Sequence, residues 1–303
     1  MIILKLEYIT NKDDENKILK DILKNKLYIS AVLLKKLKDS KAIFVNNIPT
    51  FVNYKIKEND KVTVELDLVK DEPKFMDKFI LVDKPLDILY EDEYLLIVNK
   101  PSNMPVHPSS DNYENTLSNI VASYLKKQNI YNIHIITRLD KDTTGVCIFA
   151  KNSYIQELFM RKKDSINLTK EYLAICYGII HDNHKIIEKN IARKENTIIL
   201  REVNENGDFA KTEFFVESRN QEKNYTVIKV ILHTGRTHQI RVHMSYLGHP
   251  LLGDDLYAEN IPDICKHITR QALHANIISF NHPITNELIT ITANLPKDMD
   301  NLI

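Results

Sequence analysis

Two periodicities divide the chain. At the start, Met1-Ile2-Ile3-Leu4-Lys5-Leu6-Glu7 alternates like a strand, Leu19, Ile22 and Leu23 recur at helical spacing, and Ser30 is placed to cap a second helix over 31–38. Ala42-Ile43-Phe44-Val45, the turn Asn46-Asn47 and the strictly alternating run 61–68 read as strands. Residues 1–70 therefore form a small α+β module, and residues 71–84, polar and interrupted by Pro73, suit a linker. From residue 85 the pattern is dominated by strands. Tyr94-Leu95-Leu96-Ile97-Val98 is a buried run, Asn99 to Pro108 a loop fixed by three prolines, and Thr116 caps a helix through Ile120, Val121 and Leu125. Ser153 is placed to cap another helix, through Ile155, Leu158 and Phe159. Lys170–Tyr177 is a strand with Lys170 and Tyr172 on one face, and strand-like runs return at 196–201, 210–217, 225–233, 272–280 and 287–292. There is no βαβ repetition, which argues against a doubly wound dinucleotide fold.

Composition narrows the classes. The 41 basic and 41 acidic residues balance, so any nucleic-acid site must be a local patch. One such patch lies between Lys17 and Lys41, where eight lysines face two aspartates. On a helical pair these lysines are either a phosphate-binding footprint or an ordinary solvated face. Cys147, Cys176 and Cys265 are far apart and odd in number, as expected of reduced thiols in a cytoplasmic protein. No apolar run approaches the roughly 18 residues of a membrane span, and no signal-peptide pattern opens the chain.

Two stretches carry chemistry. Thr137-Arg138-Leu139-Asp140-Lys141-Asp142-Thr143-Thr144-Gly145 is a polar turn between the apolar runs 134–136 and 146–149. A carboxylate set there beside Arg and Lys is poised for reaction, although a capped surface turn uses the same residue types. The second stretch is Leu232-His233-Thr234-Gly235-Arg236-Thr237-His238-Gln239-Ile240-Arg241-Val242-His243-Met244. Here a strand ends and a helix begins, with Ile240, Met244 and Leu247 on its apolar face. Arg241 points elsewhere, where a carboxylate from another part of the chain can meet it. His233, His238 and His243 recur every five residues, which spreads them about 140° apart on a helix and disfavours a metal site.

Taken together, these stretches resemble the RluA-type family of RNA pseudouridine synthases. The first matches the family's His-Arg-Leu-Asp-x-x-Thr-Ser-Gly pattern, with Thr137 in place of the His, and Lys170-Glu171-Tyr172 matches its Lys-x-Tyr. Thr234 to His243 matches almost in full, followed by Gly248-His249-Pro250-Leu251-Leu252-Gly253-Asp254 and Tyr257. The loop carrying Lys100-Pro101 and His107-Pro108 also fits, with Asn103 where the family usually has Gly. The module of residues 1–70 resembles, over about 50 residues that include the Val45-Asn46-Asn47 turn, an S4-like RNA-binding domain, with lysines where arginines are common. The resemblance implies an α+β catalytic fold over residues 85–303, with a mainly antiparallel sheet, peripheral helices and a central RNA cleft. It implies Asp140 as the catalytic carboxylate and Arg241 as its salt-bridge partner. Tyr172 would pack on the target base, and Arg138 would enter the stack when the base leaves. The expected partner is RNA, ribosomal from the large subunit or else transfer RNA, with no obligate protein partner. Uridine and pseudouridine are isomers, so no cofactor or metal is called for. The competing readings are an inactive RNA-binding assembly factor and a hydrolase pairing Asp140 with Asp142.

Overall fold

The computed structural model describes residues 3–67, 80–108, 113–258 and 268–303. Pro73, Cys265 and most of the expected linker lie outside these residues. In the N-terminal part, β1 (Ile3–Ile9), α1 (Leu19–Asn25), α2 (Ala31–Asp39), β2 (Ile43–Val45), β3 (Ile48–Pro49) and β4 (Lys61–Asp67) form a sheet ordered β1-β4-β2-β3 under two helices. The Ser30 hydroxyl accepts the Leu33 N–H at 3.2 Å, as its position before the apolar run predicts. Val62, Val64 and Leu66 of β4 face the helices and are buried.

After residues 80–87, which have no regular structure, the chain builds a second and larger sheet. In order come β5 (Ile88–Glu91), β6 (Leu95–Lys100), α3 (Leu117–Lys127), β7 (His134–Ile135), β8 (Thr144–Ala150), α4 (Ser153–Arg161), α5 (Lys163–Ile166) and β9 (Thr169–Tyr177). They are followed by β10 (His184–Glu188), β11 (Ile191–Arg193), β12 (Arg201–Val203), β13 (Lys211–Asn220), β14 (Tyr225–Leu232), α6 (Gln239–Tyr246), β15 (Leu273–Asn281), β16 (Leu288–Thr292) and α7 (Lys297–Asp300). Ten strands pair in the path β10-β13-β14-β9-β15-β8-β6-β5, with β16 on β15 and β7 on β8. Every pairing is antiparallel except β15 with β8. The α+β class and mainly antiparallel sheet agree with the expectation from the strand-rich pattern.

Two local readings differ. Asn152, not Ser153, caps α4, its side chain accepting the Ile155 N–H at 2.9 Å. The run 196–201 is a strand only at its last residue: Arg201 opens β12, whereas residues 196–200 form the connection between β11 and β12 and leave Ile198 80% exposed. Thr197, Ile198 and Ile199 supply the β propensity, but among the described residues no strand pairs with them.

α4 joins the two parts. Tyr154, Leu158 and Phe159 share one apolar cluster with Leu19, Leu27 and Ile29, and the buried Tyr154 hydroxyl donates to the Leu27 carbonyl at 3.1 Å. Arg161 adds a bond to the Lys24 carbonyl at 3.2 Å, and the Lys162 ammonium sits 5.0 Å from the centre of the Tyr28 ring.

Candidate active site

The Asp140 turn is fastened from three sides. Lys100, fully buried, donates to the carbonyls of Pro101, Met104 and Lys141, each at 2.8 Å. One ammonium thus ties the proline loop to the turn. The Met104 N–H adds a bond to the Lys141 carbonyl at 3.0 Å, and the Asn103 N–H one to Asp142 Oδ1 at 3.0 Å. Asn103 sits at φ +55, a left-handed conformation that Asn accepts where Gly is usual. From below, Arg270 donates to the Asp142 carbonyl at 3.1 Å while a two-pronged pair with Asp298, at 2.7 and 2.9 Å, fixes its guanidinium.

Past the turn, β8 runs parallel to β15, and Gly145, Ala275 and Tyr172 lie in register on three adjacent strands. Gly145 has φ +110, and a Cβ on it would fall 2.2 Å from the Ala275 carbonyl oxygen. Only glycine fits this crossing. Thr137 is buried, and its hydroxyl accepts the Ile148 N–H at 2.9 Å, so it closes the strand end.

Asp140 itself keeps 27% of its side chain exposed. Arg241 reaches it from α6, with Nη1 3.5 Å from Oδ2. The sequence expectation of a salt bridge captures only part of this arrangement. The main partner of Arg241 is Asp254, which receives Nε and Nη2 at 2.7 Å each, both groups being buried. Asp254 in turn accepts the Leu256 and Tyr257 N–H groups at 3.0 and 3.1 Å. Burial alone would lower the Arg241 pKa, but Asp254 and then Asp140 more than reverse this, so the guanidinium stays charged. The Tyr257 ring also faces the guanidinium, 5.1 Å from Cζ.

Tyr172 lies 7% exposed in a cluster with Ile240 and Ala275, against which Leu139 packs. Burial first, and the Asp140 charge second, push its phenol well above the usual range, so it acts as a neutral ring. Arg138, two residues before Asp140, is exposed. The three histidines part company: His233 meets Glu213 at 2.8 Å, His243 bonds Thr212 at 2.8 Å, and His238 lies 4.0 Å from Asp140. Asp254, Tyr257, His238 and Lys100 were quoted in the sequence motifs without a role. Each role needs a partner outside its own motif turn, Arg241 for Asp254, His238 for Tyr257, Asp140 for His238 and Lys141 for Lys100, and spacing carries no signal for these.

A family profile described as RNA pseudouridylate synthase matches residues 94–246. The chain belongs to the RNA pseudouridine synthase family. It is therefore an isomerase, and the RluA-type likeness drawn from its motifs holds. An uncharacterized RNA pseudouridine synthase of Bacillus subtilis (strain 168), YhcT, is 34% identical over 98% of this chain and 96% of its own length. The ribosomal large subunit pseudouridine synthase D of Vibrio vulnificus (strain CMCP6) is 37% identical over 86% of this chain and 81% of its own. Among solved structures, human RNA pseudouridylate synthase domain containing 1 superposes with a TM-score of 0.57 at 25% identity, covering 70% of this chain and 84% of that one. Among the described residues, no helix is long and apolar enough to cross a membrane.

Proposed function

We propose that this pseudouridine synthase isomerises uridines of large-subunit ribosomal RNA, with Asp140 as its reacting carboxylate. The observation that carries the assignment is the asymmetry of Asp140: Arg241 holds Oδ2, while among the described residues no hydrogen bond reaches Oδ1. The arginine engages one oxygen of a partly exposed carboxylate and leaves the other free to react. In the reaction the N1–C1′ bond breaks, the uracil turns and C5 joins C1′. The C5 hydrogen leaves as a proton and N1 gains one. Attack at C6, attack at C1′ and proton abstraction in a glycal route all start from the same free oxygen. A stacked base cannot turn, so the nucleotide leaves the helix at a cost of a few kcal/mol. In this reading the neutral Tyr172 ring packs on the extruded base, and exposed Arg138 fills the gap it leaves.

The ribosomal substrate rests on the Vibrio relative and on the N-terminal part, which we read as an S4-like RNA-binding module. Lys35, Lys36 and Lys38 are exposed on α2 and suit contacts to phosphate. The test is tritium release from RNA labelled at uridine C5, taken from cells lacking this protein and separated into ribosomal and transfer RNA. Release from the large ribosomal RNA is expected. Release from transfer RNA alone would contradict the substrate assignment, and appearance of free uracil would replace isomerisation with hydrolysis.

A further inference from the structure

His238 stands between Asp140 and Tyr257, and the fold meets two costs to keep it there. Its backbone is left-handed at φ +56, which disfavours any residue with a Cβ. It also occupies the N-cap of α6 without making a side-chain cap bond, where Ser, Thr, Asp or Asn would make one. Its imidazole turns instead to the Tyr257 hydroxyl, with Nδ1 at 2.8 Å, and its ring meets the tyrosine edge-on at 5.6 Å.

The direction of that bond follows from a third group. The Tyr257 oxygen accepts the Arg201 backbone N–H at 2.9 Å, so its own hydrogen is free to go to His238 Nδ1. Among the described residues the hydroxyl has no other acceptor. With Nδ1 accepting, the neutral ring carries its hydrogen on Nε2, the atom that faces Asp140 Oδ2 at 4.0 Å. Arg241 Nη1 approaches the same oxygen at 3.5 Å.

We propose that His238 is a positioning residue for Asp140: with its tautomer set by Tyr257, it joins Arg241 in holding Oδ2, so that Oδ1 is presented to the uridine. The inference rests on the isomerase reading of Asp140. At 4.0 Å the contact is longer than a hydrogen bond, and it closes when substrate displaces water from the cleft, as contacts in unliganded active sites commonly do. Burial, together with Arg241 and Arg201 and against the pull of Asp140, keeps His238 neutral at pH 7. A neutral donor steers the carboxylate without adding a second full charge that would blunt its reactivity.

The experiment measures single-turnover tritium release at saturating enzyme, using large-subunit ribosomal RNA transcribed with tritium at uridine C5. RNA affinity is measured in parallel. The proteins are wild type, His238→Phe, His238→Gln, Tyr257→Phe and the double variant Tyr257→Phe/His238→Gln. Phenylalanine keeps the ring and loses the donor, whereas glutamine places an amide N–H near the position of Nε2. His238→Phe and Tyr257→Phe are expected to slow the reaction roughly tenfold or more with RNA affinity within about twofold. His238→Gln should recover most of the rate, and Tyr257→Phe should cost little in that background, since an amide has no tautomer to fix. If His238→Phe fails to fold, Tyr257→Phe in the two backgrounds still decides. A wild-type rate in His238→Phe, or an equal cost of Tyr257→Phe in both backgrounds, would overturn the role of His238. A wild-type protein that releases no tritium would instead overturn the isomerase reading itself.

Discussion

Lys100→Met separates the stability of the fold from the placement of its reacting group. Methionine fills the same buried space but donates nothing to the three carbonyls that Lys100 holds. The Lys141 carbonyl keeps its bond from the Met104 N–H, so two carbonyls, those of Pro101 and Met104, lose their donor. Each orphaned carbonyl costs about 1–3 kcal/mol. Against this, burial lowers the amine from its ordinary 10.5 to about 8, and removing so poorly solvated a cation returns roughly 3 kcal/mol. The two effects nearly cancel, and global stability should fall by no more than about 3 kcal/mol. The loop responds differently. Lifting residues 101–104 from the Asp140 turn gives the freed carbonyls to water and also breaks the Asn103–Asp142 bond. Displacement of a reacting group by about 1 Å can cost on the order of 100-fold in rate. Urea unfolding and single-turnover tritium release, measured on the same preparation, are expected to show small destabilisation with at least a tenfold slower reaction. A stability loss above about 5 kcal/mol with a normal rate in the surviving folded fraction would refute this account.

Other perturbations probe separate links. Gly145→Ala sets a methyl against the Ala275 carbonyl at a strained φ and should destabilise the protein by roughly 3 kcal/mol or more, read as a lower urea midpoint. Asp92 bonds Tyr90, Tyr94 and Leu95 at 2.7 Å each. Burial pushes its carboxyl up, but these bonds and His282 outweigh burial and hold it at about 2. Because the folded pKa lies below the unfolded one, its contribution is full above the unfolded value near 4 and is lost as pH falls toward 2. Asp92→Asn should therefore cost about 2 kcal/mol at pH 7, and the gap should narrow below pH 4 and close near pH 2. Replacing Lys35, Lys36 and Lys38 with Ala should weaken RNA binding and reduce its logarithmic salt slope by up to about 2, whereas an unchanged slope would remove α2 from the interface.

The parts of this molecule that were legible in the sequence are those encoded by local order. The Ser30 cap, the apolar face of α6 and the glycine closing the Asp140 turn depend on residues within a few positions of one another. Asp140 and Arg241 were each conspicuous, but they lie 101 positions apart and the chain gives no sign that Asp254 claims most of the guanidinium. Lys100 reads as one loop lysine among many until three carbonyls are found around it. Residues 196–200 show the converse: β-branched residues give a local signal, yet pairing is decided by what lies alongside, and only Arg201 of this run finds a partner strand. His238 was considered only as part of a metal triplet, because its left-handed backbone and its tyrosine partner belong to the folded chain.

The most direct test of the central claim compares wild type with Asp140→Asn in single-turnover tritium release from C5-labelled large-subunit ribosomal RNA, with RNA affinity measured on the same samples. The asparagine variant is expected to bind within about twofold of wild type, since shape and basic charge are kept, and to release no tritium. Substantial turnover by Asp140→Asn would contradict the claim and return the chemistry to some other group in the cleft.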